Sequence, residues 1–582
     1  MELKQSTVKS MDRNILSSLL AFGTSLILSI IVFTSLINPR FYYSKRVIFV
    51  CFFITFFWFA ITVFSIIKSV KEKKEIKAYI VSFLVYLLVV FFMIRSVWFY
   101  SYLTLAPEYA FFNGLGNSDT FYLSTLCEAI KNFGYPALLS QGLEYYKYHY
   151  LSIVFLAVIS KIVKIPCLIT YNYLYPVVFL PVFTYLFFQA IGIIREYLNK
   201  SHNIFVSDVI LSVFVIVGFL PLRYLNAIGI WWFHIFLSES CCVSFVLLLL
   251  YVFVIGKLKT IKNSEKVICY FITPLFLFII TATKISVGII FFVLLAWIFI
   301  RTHGFKFSTL LSIGLCFVFL LFSLSLFIRE SQNVTERSIS WFHFINTYVS
   351  PEYKVSHVFF ILFPALVLFF LSKKSQPYNC FFKTRSAVLS EAALITSFCS
   401  ILPGVFIEME GGGAHYFFLP ALFISLIFLL CSGELQSLFT ILAKEKKIII
   451  VLLLLVVYGE SFINESYKYG SIYRSVAPQY LIEQSNIRKQ GNMQIVDNRF
   501  YKTLNKINRI TEGKKKQYCL FVSKNCEINK LYKSNDSFLG PISPLAITAY
   551  LGMPIITDFN EAKEMHIDNI IVLENNTYKI IK

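Results

Sequence analysis

Residues 117–136 carry the sequence NSDTFYLSTLCEAIKNFGYP. Apolar side chains recur in it at helical spacing, at Tyr122, Leu126, Ala129, Ile130 and Phe133. Polar side chains take the opposite face, at Thr120, Ser124, Glu128 and Lys131. This pattern predicts an amphipathic helix that begins at Asp119, ends at Asn132 and Gly134, and cannot resume because of Pro136. We expect the helix to lie in a membrane surface, with one face in lipid and the other in water.

The composition predicts an integral membrane protein. Apolar residues make up 57% of the 582 residues and charged residues 15%, which is too apolar for a soluble protein of this length. The net charge of +21 comes from short Lys and Arg clusters between apolar segments. Such clusters indicate membrane topology rather than a nucleic-acid surface, so we expect membrane lipids and no nucleic acid as partners.

Hydropathy and the positions of the basic clusters together predict about 13 transmembrane helices, with the N-terminus in the cytoplasm. The predicted spans are Asn14–Ile37, Val47–Ile67, Ala78–Phe99, Leu168–Ile194, Phe205–Leu222, Ser240–Val254, Val267–Ala282, Ser286–Ile300, Thr309–Phe327, Val358–Leu371, Ala387–Phe406, Phe417–Cys431 and Ile448–Tyr458. We therefore divide the chain into an N-terminal pair of spans (1–77), a transmembrane core (78–460) with a first outer loop at 100–167, and an extracytoplasmic region (461–582).

One apolar segment decides this topology. The segment from His149 to Ile165 is about 17 residues long, whereas a helix that crosses a bilayer needs ~20. If it crossed, the later basic clusters would lie outside. We therefore expect a juxtamembrane helix that belongs to the first outer loop.

The C-terminal region has the composition of a small α/β domain. Gln517–Val522 and Asn569–Leu573 are predicted strands, and Pro544–Leu551 is a predicted helix. Cys519 and Cys526 would lie in an oxidising compartment, where a hairpin disulfide and two unpaired thiols are both open alternatives.

The order of these parts resembles the GT-C superfamily of membrane glycosyltransferases. It is similar to that of the protein O-mannosyltransferases, the aminoarabinose transferase of lipid A and the catalytic subunit of oligosaccharyltransferase. The resemblance rests on the Asp119 loop with its helix, on Tyr148-His149-Tyr150 before the juxtamembrane helix, on a second outer loop that ends at Ser238-Glu239, and on Thr283-Lys284 in a turn between two spans.

The resemblance implies an inverting glycosyltransferase that moves a sugar from a polyprenyl-phosphate donor to an acceptor hydroxyl of a lipid, glycan or protein on the extracytoplasmic side. Asp119 would be the general base, because a carboxylate at the border of water and lipid can accept the proton of the attacking hydroxyl. The cations that could bind the donor phosphate are Arg223, Lys284, His149 and His415. We expect a bacterial inner membrane or plasma membrane as the location.

The metal is left open. The first loop has one acid where the superfamily commonly has two, and Glu239 is the acid of the second loop. A divalent cation, Mg²⁺ or Mn²⁺, is the cofactor that the resemblance allows.

Each candidate residue also has a structural explanation. Asp119 or Ser118 is suited to cap the helix, and Glu239 to mark the water-facing start of a span. His149 lies among tyrosines typical of an interfacial belt, and Lys284 could extend from the end of a span to the surface. Two other function classes remain as alternatives, a transporter or flippase and a polymerase or ligase of a lipid-linked surface glycan.

Overall fold

The structure is a computed structural model that is mostly helical. It describes residues 12–36, 43–69, 76, 79–84, 86–87, 118–146, 150–199, 209, 239–259, 261, 264–327, 341–342, 346–347, 349, 351, 354–374, 384–406, 415–433, 498–523, 544–574 and 577–582. The helices are α1 (Arg13–Leu36), α2 (Ser44–Ser69), α3 (Ser118–Phe133), α4 (Leu151–Val163), α5 (Cys167–Tyr197), α6 (Glu239–Leu258), α7 (Ser264–Thr283), α8 (Ile285–His303), α9 (Phe307–Phe327), α10 (Lys354–Lys374), α11 (Arg385–Phe406), α12 (His415–Ser432), α13 (Asn498–Ile510), α14 (Pro544–Leu551) and α15 (Phe559–Glu564).

Nine helices in the described part of the chain are long and apolar enough to cross a membrane. They are α1, α2 and α5 to α11. This agrees with an all-α multi-pass membrane protein. Helix α12 covers the predicted span Phe417–Cys431, but it is shorter than each of these nine helices. The predicted spans Phe205–Leu222 and Ile448–Tyr458 and most of Ala78–Phe99 fall outside the described residues, so the total of 13 stays a prediction.

The chain forms two compact units. The first contains Met1–Ile27, Thr55–Met93 and Phe179–Asn464, and the second contains Leu28–Ile54, Ile94–Val178 and Glu465–Lys582. The predicted domain boundaries at residues 77 and 460 are not tested by this division.

Three hydroxyl groups from the first unit form a buried hydrogen-bonded triad. Thr24, Tyr86 and Thr184 come from separate parts of the sequence, and their hydroxyl oxygens lie 3.0 to 3.2 Å from one another. All three side chains are buried. A hydroxyl group in hydrocarbon has no water to bind, so this triad stabilises the packing of the helices that carry it.

Basic residues gather at one end of the first unit. The Arg385 guanidinium donates a hydrogen bond of 2.7 Å to the Tyr197 carbonyl and lies 5.1 Å from the centroid of the Tyr197 ring. Lys259 lies 5.1 Å from the same ring centroid. Arg301 forms a two-pronged ion pair with Glu391, the shorter N–O distance being 2.6 Å. This end therefore carries the positive charge that is typical of the cytoplasmic side of a membrane protein.

In the second unit, α3 begins and ends as the sequence predicts, but its environment differs from the prediction. Gly134 follows the helix with φ of +92°. The expectation of a face in water is wrong for the described side chains, since Thr120, Ser124 and Glu128 are at most 3% exposed. Helix α14 covers this face, and the Thr125 and Thr548 hydroxyls lie 3.0 Å apart between the two helices.

The C-terminal residues of the second unit form a four-stranded sheet in the order β2-β1-β3-β4. The strands are β1 (Tyr518–Val522), β2 (Ile555–Ile556), β3 (Asn569–Glu574) and β4 (Thr577–Ile581). Strand β1 is parallel to β2 and β3, and β4 is antiparallel to β3. Cys519 is buried in the core of this sheet, and Cys526 falls outside the described residues, so the choice between a hairpin disulfide and two unpaired thiols is not tested.

We predict that Gly552→Ala destabilises the protein by about 2–4 kcal/mol. Gly552 has φ of +67°, and a Cβ atom there would lie 2.5 Å from Glu128 Oε2, so the carboxylate would have to leave its hydrogen bonds. The measurement is chemical unfolding in detergent. Gly513→Ala is the matched control, because Gly513 has φ of +77° and open space around it. Equal losses in the two variants would contradict a role for the Glu128 contact.

Candidate functional site

Asp119 is the second residue of α3 and therefore lies in the first turn of the helix. The free N–H groups of a first turn and the helix dipole both favour negative charge at this position. The side chains of Ser118 and Asp119 are outside the described part of the structure, so capping and catalysis are both compatible with this position.

A buried carboxylate two turns later fixes the position of α3. Glu128 is 3% exposed, and its Oε1 accepts hydrogen bonds from the backbone N–H of Cys167 at 2.6 Å and from Lys131 Nζ at 3.2 Å. Its Oε2 accepts from Asn132 Nδ2 at 2.9 Å, and the same amide donates to the Gly552 carbonyl at 3.0 Å. The carboxylate thus connects α3 to the first residue of α5, and the Asn132 amide that it orients connects α3 to the loop after α14.

Lys131 completes this arrangement. Its Nζ also donates a hydrogen bond of 2.8 Å to the Ile165 carbonyl, in the connection between α4 and α5. Burial lowers the pKa of Lys131, but the Glu128 carboxylate raises it, and the net direction is upward. Lys131 is therefore a permanently charged partner of Glu128, and we assign this cluster a structural role.

Lys515 forms a second layer beside that cluster. Its half-buried side chain donates to Asn508 Oδ1, and the Asn508 amide donates to the Tyr43 hydroxyl at 2.8 Å. Burial lowers the pKa of Lys515 to about 7, although Glu128 and Glu512 act in the opposite direction. Near neutral pH this amine therefore changes between its charged and neutral forms.

In the first unit, the turn between α7 and α8 buries a lysine. Lys284 has extended backbone dihedral angles that interrupt the helical run, and it is 6% exposed. Its Nζ lies 3.7 Å from the centroid of the Tyr416 ring. The turn is tight, since a Cβ atom on Gly288 would lie 2.7 Å from the Thr281 Cα atom. The interpretation of Lys284 as a side chain that extends to the surface is wrong for this position.

Polar atoms at this turn have unused hydrogen-bonding capacity. Ser286 is 5% exposed, and its hydroxyl has no hydrogen-bond partner among the described residues. No carboxylate in the described part of the chain forms an ion pair with Lys284. A cation and a hydroxyl in a dry environment form a pair of groups that would bind an anion.

Glu239 lies at the same end of the first unit as Lys284. The Tyr251 hydroxyl is 2.9 Å from the Thr273 hydroxyl, which sets the register between α6 and α7. Glu239 precedes Tyr251 by 12 residues and Lys284 follows Thr273 by 11 residues, so the antiparallel helices bring both to one level. Glu239 is 1% exposed, which excludes the interpretation of a water-facing start of a span.

The other predicted site residues are only partly described. His415 is the first residue of α12, next to Tyr416, and its side chain is outside the described part. His149 and Arg223 also fall outside it. In the first unit, the structure therefore places Lys284 against Tyr416 at the start of α12 and Glu239 at the same end of the helices, whereas Asp119 belongs to the second unit.

The described residues do not form a metal centre. Among them, no three His, Cys, Asp or Glu side chains come together as ligands. Glu239 is the acid of the second outer loop that could bind a metal, and a single carboxylate does not fit the oxygen-rich coordination of Mg²⁺ or Mn²⁺. We derive no step through a metal ion.

Two features of the site were missed from the sequence. Tyr416 lies just before the predicted span Phe417–Cys431, and nothing in its sequence context indicates contact with Lys284. Glu128, Lys131 and Asn132 have the spacing of residues on one face of a helix. This spacing could have indicated that their side chains form a hydrogen-bonded cluster. Gly552 is 420 residues from Asn132, so that contact could be found only from the structure.

We predict that the titration of Lys515 makes stability depend on pH. The folded state lowers the pKa of Lys515 to about 7 from 10.5, so between these values the unfolded chain binds more protons. The free energy of unfolding should therefore rise from pH 7 to pH 10. The measurement is chemical unfolding in detergent across this range. Lys515→Met should reduce the slope, and an unchanged slope in that variant would contradict the assignment.

Comparison with family models, with curated proteins and with solved structures finds no match to this chain.

Proposed function

We propose that this protein is a membrane glycosyltransferase of the GT-C type, which moves a sugar from a polyprenyl-phosphate donor to an acceptor hydroxyl on the extracytoplasmic side. In this proposal Asp119 is the general base, and Lys284 binds the phosphate of the donor. The observation that carries the proposal is the burial of Lys284 against Tyr416.

The cost of burying an ammonium group is the first argument. Removing a charge from water costs several kcal/mol, and a ring face recovers only about 2 kcal/mol of this. A hydrophobic side chain would fill the same turn at lower cost. A ligand that carries negative charge, such as the phosphate of a lipid donor, supplies the missing attraction and gives the buried cation a function.

The anchoring of α3 is the second argument. A general base has to be held at a defined position relative to its substrate, because misplacement of about 1 Å can cost 10²-fold in rate. Glu128, Lys131 and Asn132 tie α3 to the connection between α4 and α5 and to the loop after α14. The helix that carries Asp119 is thus supported on two sides.

Helix α4 has the features of a helix at a lipid boundary. It has 13 residues and is about 20 Å long, less than the ~30 Å of a hydrocarbon core. Phe155, Val158 and Ile162 form an exposed apolar stripe at helical spacing, and Ile162 is 75% exposed. A lipid donor needs such an apolar boundary beside the reacting groups.

The charges of the first unit support the proposed sidedness. Glu239 and Lys284 lie at one end of its helices, and the residues Lys259, Arg301 and Arg385 lie at the other. Since basic residues favour the cytoplasmic side, Lys284 faces outward in this proposal. The N-terminus would be cytoplasmic, and the C-terminal sheet extracytoplasmic.

We predict that Asp119→Asn lowers sugar transfer by about 10²–10⁴-fold, the usual contribution of a general base. The measurement uses the protein in liposomes, a panel of radiolabelled polyprenyl-phosphate monosaccharides, and membranes of the source cells as acceptor. Asp568→Asn is the control, since Asp568 is exposed and lies in the C-terminal region. Transfer near the wild-type rate by Asp119→Asn would contradict the proposed role of Asp119.

We predict that Lys284→Met lowers transfer by about 10²-fold or more while the melting temperature stays equal or rises. Methionine keeps the volume of the side chain and removes the cost of a buried charge. Lys259→Met is the matched control, because Lys259 also lies against a tyrosine ring but at the opposite end. A clear fall in melting temperature together with normal transfer by the remaining folded protein would show that Lys284 is structural.

A further inference from the structure

The start of α2 holds two other helices of the second unit. The Arg46 guanidinium donates a hydrogen bond to the Lys164 carbonyl at the end of α4, and it lies 3.6 Å from a carboxylate oxygen of Glu512, just after α13. The Tyr43 hydroxyl, next to α2, accepts a hydrogen bond of 2.8 Å from the Asn508 amide in α13. Because α2 is long and apolar enough to cross a membrane, its first turn lies at a membrane border. The ends of α4 and α13 are therefore held at that border, whichever side of the membrane it faces.

The exposed surface of these three segments is strongly basic. Its exposed cations come from the first turn of α2, from the end of α4, and from the end of α13 with the turn that follows, and they are Lys45, Lys161, Lys164, Arg509, Lys514 and Lys516. We call this surface the basic face. Glu512 is the acid within these segments, and it is already paired with Arg46. In the described part of the chain, Lys161, Lys164 and Lys514 form no ion pair, so the basic face carries uncompensated positive charge.

Apolar side chains are exposed beside these cations. Ile162, one residue after Lys161, is 75% exposed, and Val158, one turn earlier in α4, is 50% exposed. Ile510, at the end of α13, is 45% exposed. Water is a poor solvent for such side chains. The headgroup region of a bilayer accepts both kinds of residue, because apolar side chains enter it while Lys and Arg reach the lipid phosphates.

We propose that the basic face binds the phosphate groups of anionic phospholipids in the membrane that α2 enters, so that the ends of α4 and α13 rest on the bilayer surface. A Lys or Arg near an anionic membrane surface contributes about fivefold in affinity. A nucleic acid would match the charge of this face, but it would not use the exposed isoleucines, and it would not account for the position beside the end of an apolar helix. The proposal does not depend on sugar transfer.

The experiment measures hydrogen exchange of the full-length protein in nanodiscs of phosphatidylcholine, with and without phosphatidylglycerol of the same acyl chains. We expect phosphatidylglycerol to slow exchange in peptides that cover residues 161–165 and 509–517, because bound headgroups stabilise the ends of both helices. The triple variant Lys161→Gln/Lys164→Gln/Lys514→Gln should lose about 10²-fold in apparent affinity for phosphatidylglycerol, and the difference in exchange with it. Equal exchange in the two kinds of nanodisc, or an unchanged difference in the triple variant, would overturn the proposal.

The matched control variant is Lys563→Gln/Lys579→Gln/Lys582→Gln. It removes the same charge from exposed lysines of the C-terminal region, outside the basic face, and it should keep the wild-type response to phosphatidylglycerol. Both triple variants should melt within a few degrees of the wild type, because the replaced side chains are exposed. Loss of the response in both variants would mean that net charge alone attracts the lipid, which contradicts a specific face.

Two further arms identify the source of the anion. Nanodiscs of phosphatidylcholine are supplied with inorganic phosphate in one arm and with a single-stranded oligonucleotide in the other. We expect neither to slow exchange in the two peptides. Slowing by inorganic phosphate as large as that by phosphatidylglycerol would show a site for free phosphate, and slowing by the oligonucleotide would show a nucleic-acid surface. Either result would overturn the assignment to a lipid.

Discussion

The second unit depends on the carboxylate of Glu128. It is 3% exposed, and it accepts hydrogen bonds from a lysine, from a side-chain amide and from a backbone N–H group. A buried ion pair with its hydrogen bonds satisfied adds little net stability, whereas loss of one partner costs about 3–5 kcal/mol. The value of Glu128 therefore lies in specificity, because its bonds hold α3 against the start of α5 and orient the Asn132 amide, which binds the loop after α14.

This constraint explains why the helix bounds of α3 were predictable and its surroundings were not. Local signals define the ends, since Gly134 takes a positive φ that few other residues accept. The side of a helix that faces water is a tertiary property. Ser124 and Glu128 have the sequence pattern of a solvated face, but α14 covers them. A polar stripe looks the same in a sequence whether water or a complementary polar surface lies against it.

In the first unit, the position of Lys284 in a turn was also predictable from the sequence, whereas its contacts were not. Lys284 was identified as a candidate phosphate-binding residue in a turn between two apolar segments, with extension of its side chain to the surface as the structural alternative. Sequence could not decide between these, since the answer depends on Tyr416, which comes from another helix. The register that brings Glu239 level with Lys284 follows from the contact between Tyr251 and Thr273, which only the folded chain shows.

The two units treat buried charge in opposite ways. Around Glu128, each charged or amide group has a partner within the protein, and nothing further is needed to compensate the carboxylate. Lys284 has a ring face as its partner in the described structure, and Ser286 beside it has an unused hydroxyl. Folding alone explains the cluster around Glu128, because hydrogen bonds and charges within the protein offset the free energy needed to remove its groups from water. Among the described residues a ring is the compensation for this buried cation, which leaves a cost that their folding does not explain, and a bound anion is the partner that would remove it.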